Sequence, residues 1–160
     1  MAALTASKSR QHKGAVRDQR YGVVGYTNYQ GGSAVHTIYK GSIVMMDVSD
    51  VDGYAQKRIS SENAVAADVF LGIAQEKVEI TSSDTGDGDK NILVAQSGLW
   101  AFAKGSLTVT DIGAPAYASD DDTITATSTN NLWVGTIANV DDTYVWVDIA
   151  HAAGRTNTAT

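Results

Sequence analysis

The chain has 160 residues, no cysteine, three histidines and a formal charge of −6. That is the length of one domain, and the missing cysteine excludes disulfide scaffolds, cysteine-ligated zinc and thiol nucleophiles. Valine, isoleucine and threonine supply 42 residues against 6 leucines, a balance that favours pleated strands over helices and predicts an all-β fold.

Residues 1–20 read as an extended basic arm. Lys8, Arg10, Lys13, Arg17 and Arg20 face only Asp18, a net of +4, while the remaining 140 residues sum to −10. A basic segment on an acidic body predicts that the arm contacts something, or that it is a solvated terminus. The acidic body is a poor surface for nucleic acid. The first residues lack the apolar core of a secretory signal. The apolar uncharged stretch Asn91–Ala103 is too short and too polar to span a bilayer as a helix. The expectation is a soluble protein made in a reducing compartment.

The β domain is expected over 21–150, with a loose tail over 151–160. Tyr21–Tyr26 and Ala34–Tyr39 read as short strands, the second placing His36 on a strand surface. Ile43–Val48 is a continuous β-branched run, the mark of a strand covered on both faces. Asp52-Gly53 signals a hairpin, and Tyr54–Ile59 alternates. Ser60–Asp68 is the one candidate helix, with Ser61 as cap and alanines after Glu62. Val69–Ile80 returns to strand, and Thr81–Lys90 is a polar loop. Asn91–Ala103 reads as a long strand broken at Gly98. Leu107–Val109, Pro115–Ala118, Ile124–Thr127, Leu132–Val140 and Tyr144–Ile149 complete the series. Many short strands with frequent turns predict a small sandwich or barrel.

One internal echo stands out. Val69-Phe-Leu-Gly72-Ile-Ala74 resembles Leu132-Trp-Val-Gly135-Thr-Ile-Ala138. Each follows a glycine-opened strand, from Gly41 or Gly113, and precedes another strand. The echo reads either as a degenerate duplication or as strand–glycine–strand grammar recurring by chance.

Catalytic constellations are absent. There is no dinucleotide or phosphate-loop glycine pattern and no nucleophile elbow. His12 and His151 lie in terminal segments, where a general base is poorly held. Asp84, Asp87 and Asp89 form an oxygen-rich loop of the kind calcium prefers, but the order of EF-hand ligands fails. The loop is therefore a calcium candidate or a solvated hairpin. Asp120-Asp121-Asp122 reads as a turn. Trp100, Trp133 and Trp146 could stack on sugars or fill a core. No cofactor is implied.

The ordered motifs resemble the small capsid cement (decoration) proteins of tailed bacteriophages. The resemblance is carried by Gly41–Val48, Phe70-Leu-Gly-Ile-Ala74, Ile92–Trp100, Gly113–Tyr117, Leu132–Ala138 and Tyr144–Ile149, within residues 21–150. It implies a compact β-barrel or β-tulip domain without catalytic residues. Such a domain binds the outer surface of an expanded head and ties major capsid subunits together. It is commonly a trimer at three-fold axes, less often a dimer at two-fold axes. The resemblance does not cover the arm, whose five cations are the candidate capsid contacts. Removing residues 2–18 is then expected to weaken binding and spare the fold. A head–tail or tail structural protein, or a β module binding sugar or calcium, are the alternatives.

Overall fold

In the computed structural model, residues 2–48 and 53–157 are described. Asp52, half of the expected hairpin signal, lies outside them. The described strands are β1 (His12–Lys13), β2 (Asp18–Gly22), β3 (His36–Ile38), β4 (Ile43–Met46), β5 (Ala55–Lys57), β6 (Val69–Ala74) and β7 (Val78–Ile80). They continue with β8 (Asn91–Ala95), β9 (Leu99–Ala103), β10 (Pro115–Ala118), β11 (Ile124–Thr125), β12 (Leu132–Val140), β13 (Tyr144–Asp148) and β14 (Arg155–Thr156). The protein is all-β, as its composition predicts. The barrel expected alongside does not form: two larger sheets stay open, in the orders β1-β9-β13-β12-β10-β11 and β2-β8-β6-β4-β5, and β3 pairs with β7 in a ribbon.

Burial explains the layering. Ile43, Met45, Phe70 and Ile73 point into one core cluster with Phe102, Leu132, Val134, Val145 and Val147 of the other sheet. Val44, Leu71, Ile92 and Val94 point the other way, into a second cluster with Ile38, Val78 and Ile80 of the ribbon. β4 is thus apolar at every position because both of its faces are covered. His36 belongs to this covered layer. It is buried and stacks on Tyr29 with ring centroids 3.8 Å apart, so its expected place on the strand surface is corrected.

The echo in the sequence is structural. In each large sheet a five-strand unit repeats one order: β2-β8-β6-β4-β5 and β9-β13-β12-β10-β11. Val44 lies opposite Gly72, and Ala116 opposite Gly135. The register then slips at the same place in both, to Met45 opposite Phe70 and Tyr117 opposite Trp133. The Gly41 N–H donates to the Ala74 carbonyl, and Ala74 donates back to Ser42; Gly113, Ile137 and Ala114 repeat this pair of bonds. Strand grammar recurring by chance would not reproduce order, bulge and bonding together, so the two halves are copies of one motif. The glycines are required. Gly72 and Gly135 have φ of +145° and +149°, where side chains are strained. A Cβ would sit 2.2 Å from the Ala95 carbonyl oxygen at Gly72, and 2.1 Å from that of Asp148 at Gly135.

Three local expectations change. Ser60–Asp68 forms turns instead of a helix, because its backbone groups are committed elsewhere. The Arg58 guanidinium donates to the carbonyls of Ile59 and Glu62, and the Asp68 carboxylate accepts from Val65 and Val48 N–H. Leu107–Val109 does not extend as a strand; a 3-10 turn covers Val109–Asp111, held by a reciprocal cap between Thr108 and Asp111. The tail expected over 151–160 is docked as far as residue 157. Ala152 and Ala153 are buried, β14 pairs with β6, and Asn157 accepts from the Trp133 N–H.

The β12–β13 turn gives a pH prediction. The Asp141 carboxylate accepts from Trp146 Nε1 and from the Tyr144 and Thr143 N–H groups. These bonds, the Trp146 bond first, pull its pKa down to about 2. A depressed carboxylate stabilises the fold above its unfolded pKa and loses that contribution as pH falls through the folded value. The stability gap between the parent chain and Asp141→Ala should therefore shrink between about pH 4 and about pH 2. Urea titrations followed by tryptophan fluorescence would measure it; a gap independent of pH would contradict the assignment.

Candidate functional site

The five arm cations are the first candidates, and the structure separates them. β1 adds a strand to the edge of β9, and the residues before it run across both halves, with the Leu4 N–H on Asp121 and the Lys8 N–H on the Lys40 carbonyl. Leu4 and Arg10 are buried. Arg10 donates to the carbonyls of Gly41 and Ala101 and to the Asp122 carboxylate, and its guanidinium lies 4.0 Å from the centre of the Phe102 ring. Lys8 Nζ reaches Asp122 at 3.0 Å. Asp121, fully buried, accepts from the Leu4 N–H and the Ser42 hydroxyl.

The Asp120–Asp122 turn is thus the receptor for the chain's own N-terminal segment. Burial pushes the Arg10 pKa down and the Asp121 pKa up, against the attractive contacts each makes. The hydrogen bonds and packing hold this clasp, at a desolvation cost to its charges. Arg10 is accordingly withdrawn as a surface contact, and so is the picture of residues 1–20 as an arm apart from the body.

Lys13 and Arg20 have partial roles within the chain. Lys13 Nζ sits 4.4 Å from the centre of the Trp146 ring, and His12 stacks on Trp100 at 4.8 Å. These contacts cover both tryptophans, which are 5% and 3% exposed. Neither offers a free platform for a sugar. Arg20 pairs with Glu76 at 3.0 Å in an exposed setting. Arg17 bonds only through its backbone among the described contacts, to the Ser97 hydroxyl and the Gln96 N–H, and its side chain is exposed.

The calcium candidates do not converge. Asp84 accepts from Thr81 and pairs with Lys90. Asp87 accepts from the Gly25 N–H and the Asn28 amide, and Asp89 from the Gly86 N–H. Each carboxylate closes its own loop, and no group of three acidic or histidine side chains could hold a metal among the described residues. An open cleft of about 580 Å³ is lined by Arg20, Glu76, Lys77, Glu79, Asp89 and Lys90. Its charges pair among themselves in Arg20–Glu76 and Lys77–Glu79, which leaves little field for a charged ligand.

Sequence reasoning missed the receptor role of Asp120–Asp122. Three adjacent aspartates are a turn signal, and only their burial distinguishes them. No helix among the described residues is long and apolar enough to cross a membrane. No family model matches the chain, and no curated protein or solved structure does either.

Proposed function

We propose that the protein is a structural component of a tailed-phage virion. In this reading it is a cement protein, made in the bacterial cytoplasm, that binds the outside of the head and ties neighbouring major capsid subunits together. The observation that carries the reading is the doubled glycine-centred motif. The segments with the resemblance, Phe70–Ala74 and Leu132–Ala138, are the central strands of the two repeated units. Their glycines sit where a neighbouring carbonyl leaves no room for a side chain. The resemblance therefore falls on residues the fold requires and not on surface positions free to drift.

The role needs no catalytic group, cofactor, nucleic acid or membrane. It needs a rigid body with a surface for the shell and one for its own copies, and the resemblance favours trimers over dimers. Because Arg10 and Lys8 are engaged with Asp122, Lys13 with Trp146 and Arg20 with Glu76, the shell contact falls first to Arg17. The test is co-sedimentation with purified heads lacking the protein. Saturable binding is expected, and Arg17→Glu, at an exposed side chain, should weaken it about tenfold or more without changing the melting temperature. Absence of binding by the parent chain would overturn the reading.

A further inference from the structure

The repeat allows the two halves to be compared edge by edge, and one edge differs. β2 and β9 are equivalent first strands, each antiparallel to the last strand of its unit: Asp18 faces Ala95, and Leu99 faces Asp148. The outer edge of β9 is filled. Lys13 lies opposite Leu99, and the Ala101 N–H donates to the Gln11 carbonyl. The positions on β2 equivalent to Leu99 and Ala101 are Asp18 and Arg20.

Backbone phase places the free groups. The Gln96 N–H donates to the Arg17 carbonyl and the Val23 N–H to the Lys90 carbonyl. Residues 17, 19, 21 and 23 thus turn their backbone groups toward β8. By the alternation of an antiparallel ladder, Asp18 and Arg20 turn theirs outward. Past the end of β2 that side is bridged at Val23 to Ala55. Along Asp18–Arg20 no strand pairs with it among the described residues, and Asp18, Gln19 and Arg20 are all exposed.

The geometry points to this edge as the site where a second copy of the chain binds, β2 against β2 across a two-fold axis. The register is set by charge. Antiparallel pairing centred on Gln19 puts Asp18 opposite Arg20 of the second copy, and Arg20 opposite its Asp18. Both pairs are opposite in sign and both present outward backbone groups, so each exchanges a pair of main-chain bonds. Pairing centred on Arg20 would instead oppose two like charges, which cross-strand pairs disfavour. An isologous edge closes as a dimer and leaves no open end for further growth. The inference names a surface for the self-association in the proposed function and rests on that part alone. It favours the two-fold over the three-fold arrangement.

The chain has no cysteine, so one introduced thiol reports cleanly. In this register Gln19 faces its own counterpart at a non-hydrogen-bonded position, with Cα atoms about 4.5 Å apart, inside the range a disulfide spans. Gln19→Cys should form a disulfide dimer under mild oxidation, and Val109→Cys, exposed elsewhere, should not. Asp18→Arg and Arg20→Asp should each weaken the dimer about tenfold or more in sedimentation equilibrium, because each turns both opposite-charge pairs into like-charge ones. Mixing the two variants should restore a heterodimer, since the arginine introduced in one chain then meets the aspartate introduced in the other.

A parent chain that stays monomeric at about 100 μM overturns the inference, and so does a dimer or trimer indifferent to these substitutions. Neither result bears on head binding, which co-sedimentation measures separately. Failure of head binding would equally leave the dimer standing.

Discussion

Gly135→Ala is expected to cost roughly 3–5 kcal/mol of stability, among the largest effects any single substitution here should have. Two separate penalties combine. The backbone at φ +149° suits glycine alone, and the new methyl would meet the Asp148 carbonyl oxygen at 2.1 Å. That oxygen belongs to the partner strand β13, so relief requires prising apart two paired strands at the centre of the sheet. For a domain of this size the loss corresponds to a melting temperature roughly 10–15 °C lower. Gly72→Ala should behave alike, since its φ and contact distance are nearly the same. The outer glycines provide the contrast. Gly41 and Gly113 share φ +91°, but a Cβ on Gly41 would lie 2.5 Å from the Lys8 carbonyl oxygen, whereas one on Gly113 meets nothing within 4 Å. Gly41→Ala should therefore be the worse of that pair. Equal melting temperatures for all four variants and the parent would refute the account.

Deleting residues 2–13 is expected to unfold the domain in large part, the reverse of what the sequence suggests for a free arm. The deletion strips Arg10 and Lys8 from buried Asp122 and the Leu4 N–H from buried Asp121, which keeps only the Ser42 hydroxyl. Stripping the partner from a buried charge costs roughly 3–5 kcal/mol. It also uncovers Trp100, Phe102 and Trp146, against which His12, Arg10 and Lys13 pack. Domains are stable by only about 5–15 kcal/mol in total. Thermal melts of the truncated chain should show a melting temperature at least about 15 °C lower, or no cooperative transition. Arg10→Ala alone should reproduce part of the loss. A truncated chain that melts like the parent would restore residues 2–13 to the status of a detachable arm.

Local pattern reveals much of the fold. β10 and β12 are legible residue for residue, because turn residues mark their limits: Gly113 ahead of β10, and Asn131 and Asp141 on either side of β12. The break at Gly98 and the two-faced burial of β4 are legible for the same reason. The echo around Gly72 and Gly135 is visible as letters; its necessity lies in a carbonyl on another strand and cannot be seen locally. Arg10 and Asp122 are 112 residues apart, and no spacing rule links them. The basic character of residues 1–20 is a true sign of contact, but the acidic partner is in the same chain. Ser60–Asp68 misleads because alanine content speaks for a helix only while the backbone groups are free to pair along it. Thr108 and Asp111, three residues apart, are a cap signal that locates the 3-10 turn once its reciprocal bonds are known.

The first and last described strands each cross to the other half. β1 lies on the edge of the second-half sheet, and β14 pairs with β6 of the first half. On the ribosome, the first repeat emerges long before β14 exists, and the leading segment waits with it until β9 arrives. At about 5–20 residues per second, that leaves several seconds in which neither sheet is complete. Folding is therefore committed only once β14 has emerged, and the two halves should open as one cooperative unit with neither stable alone.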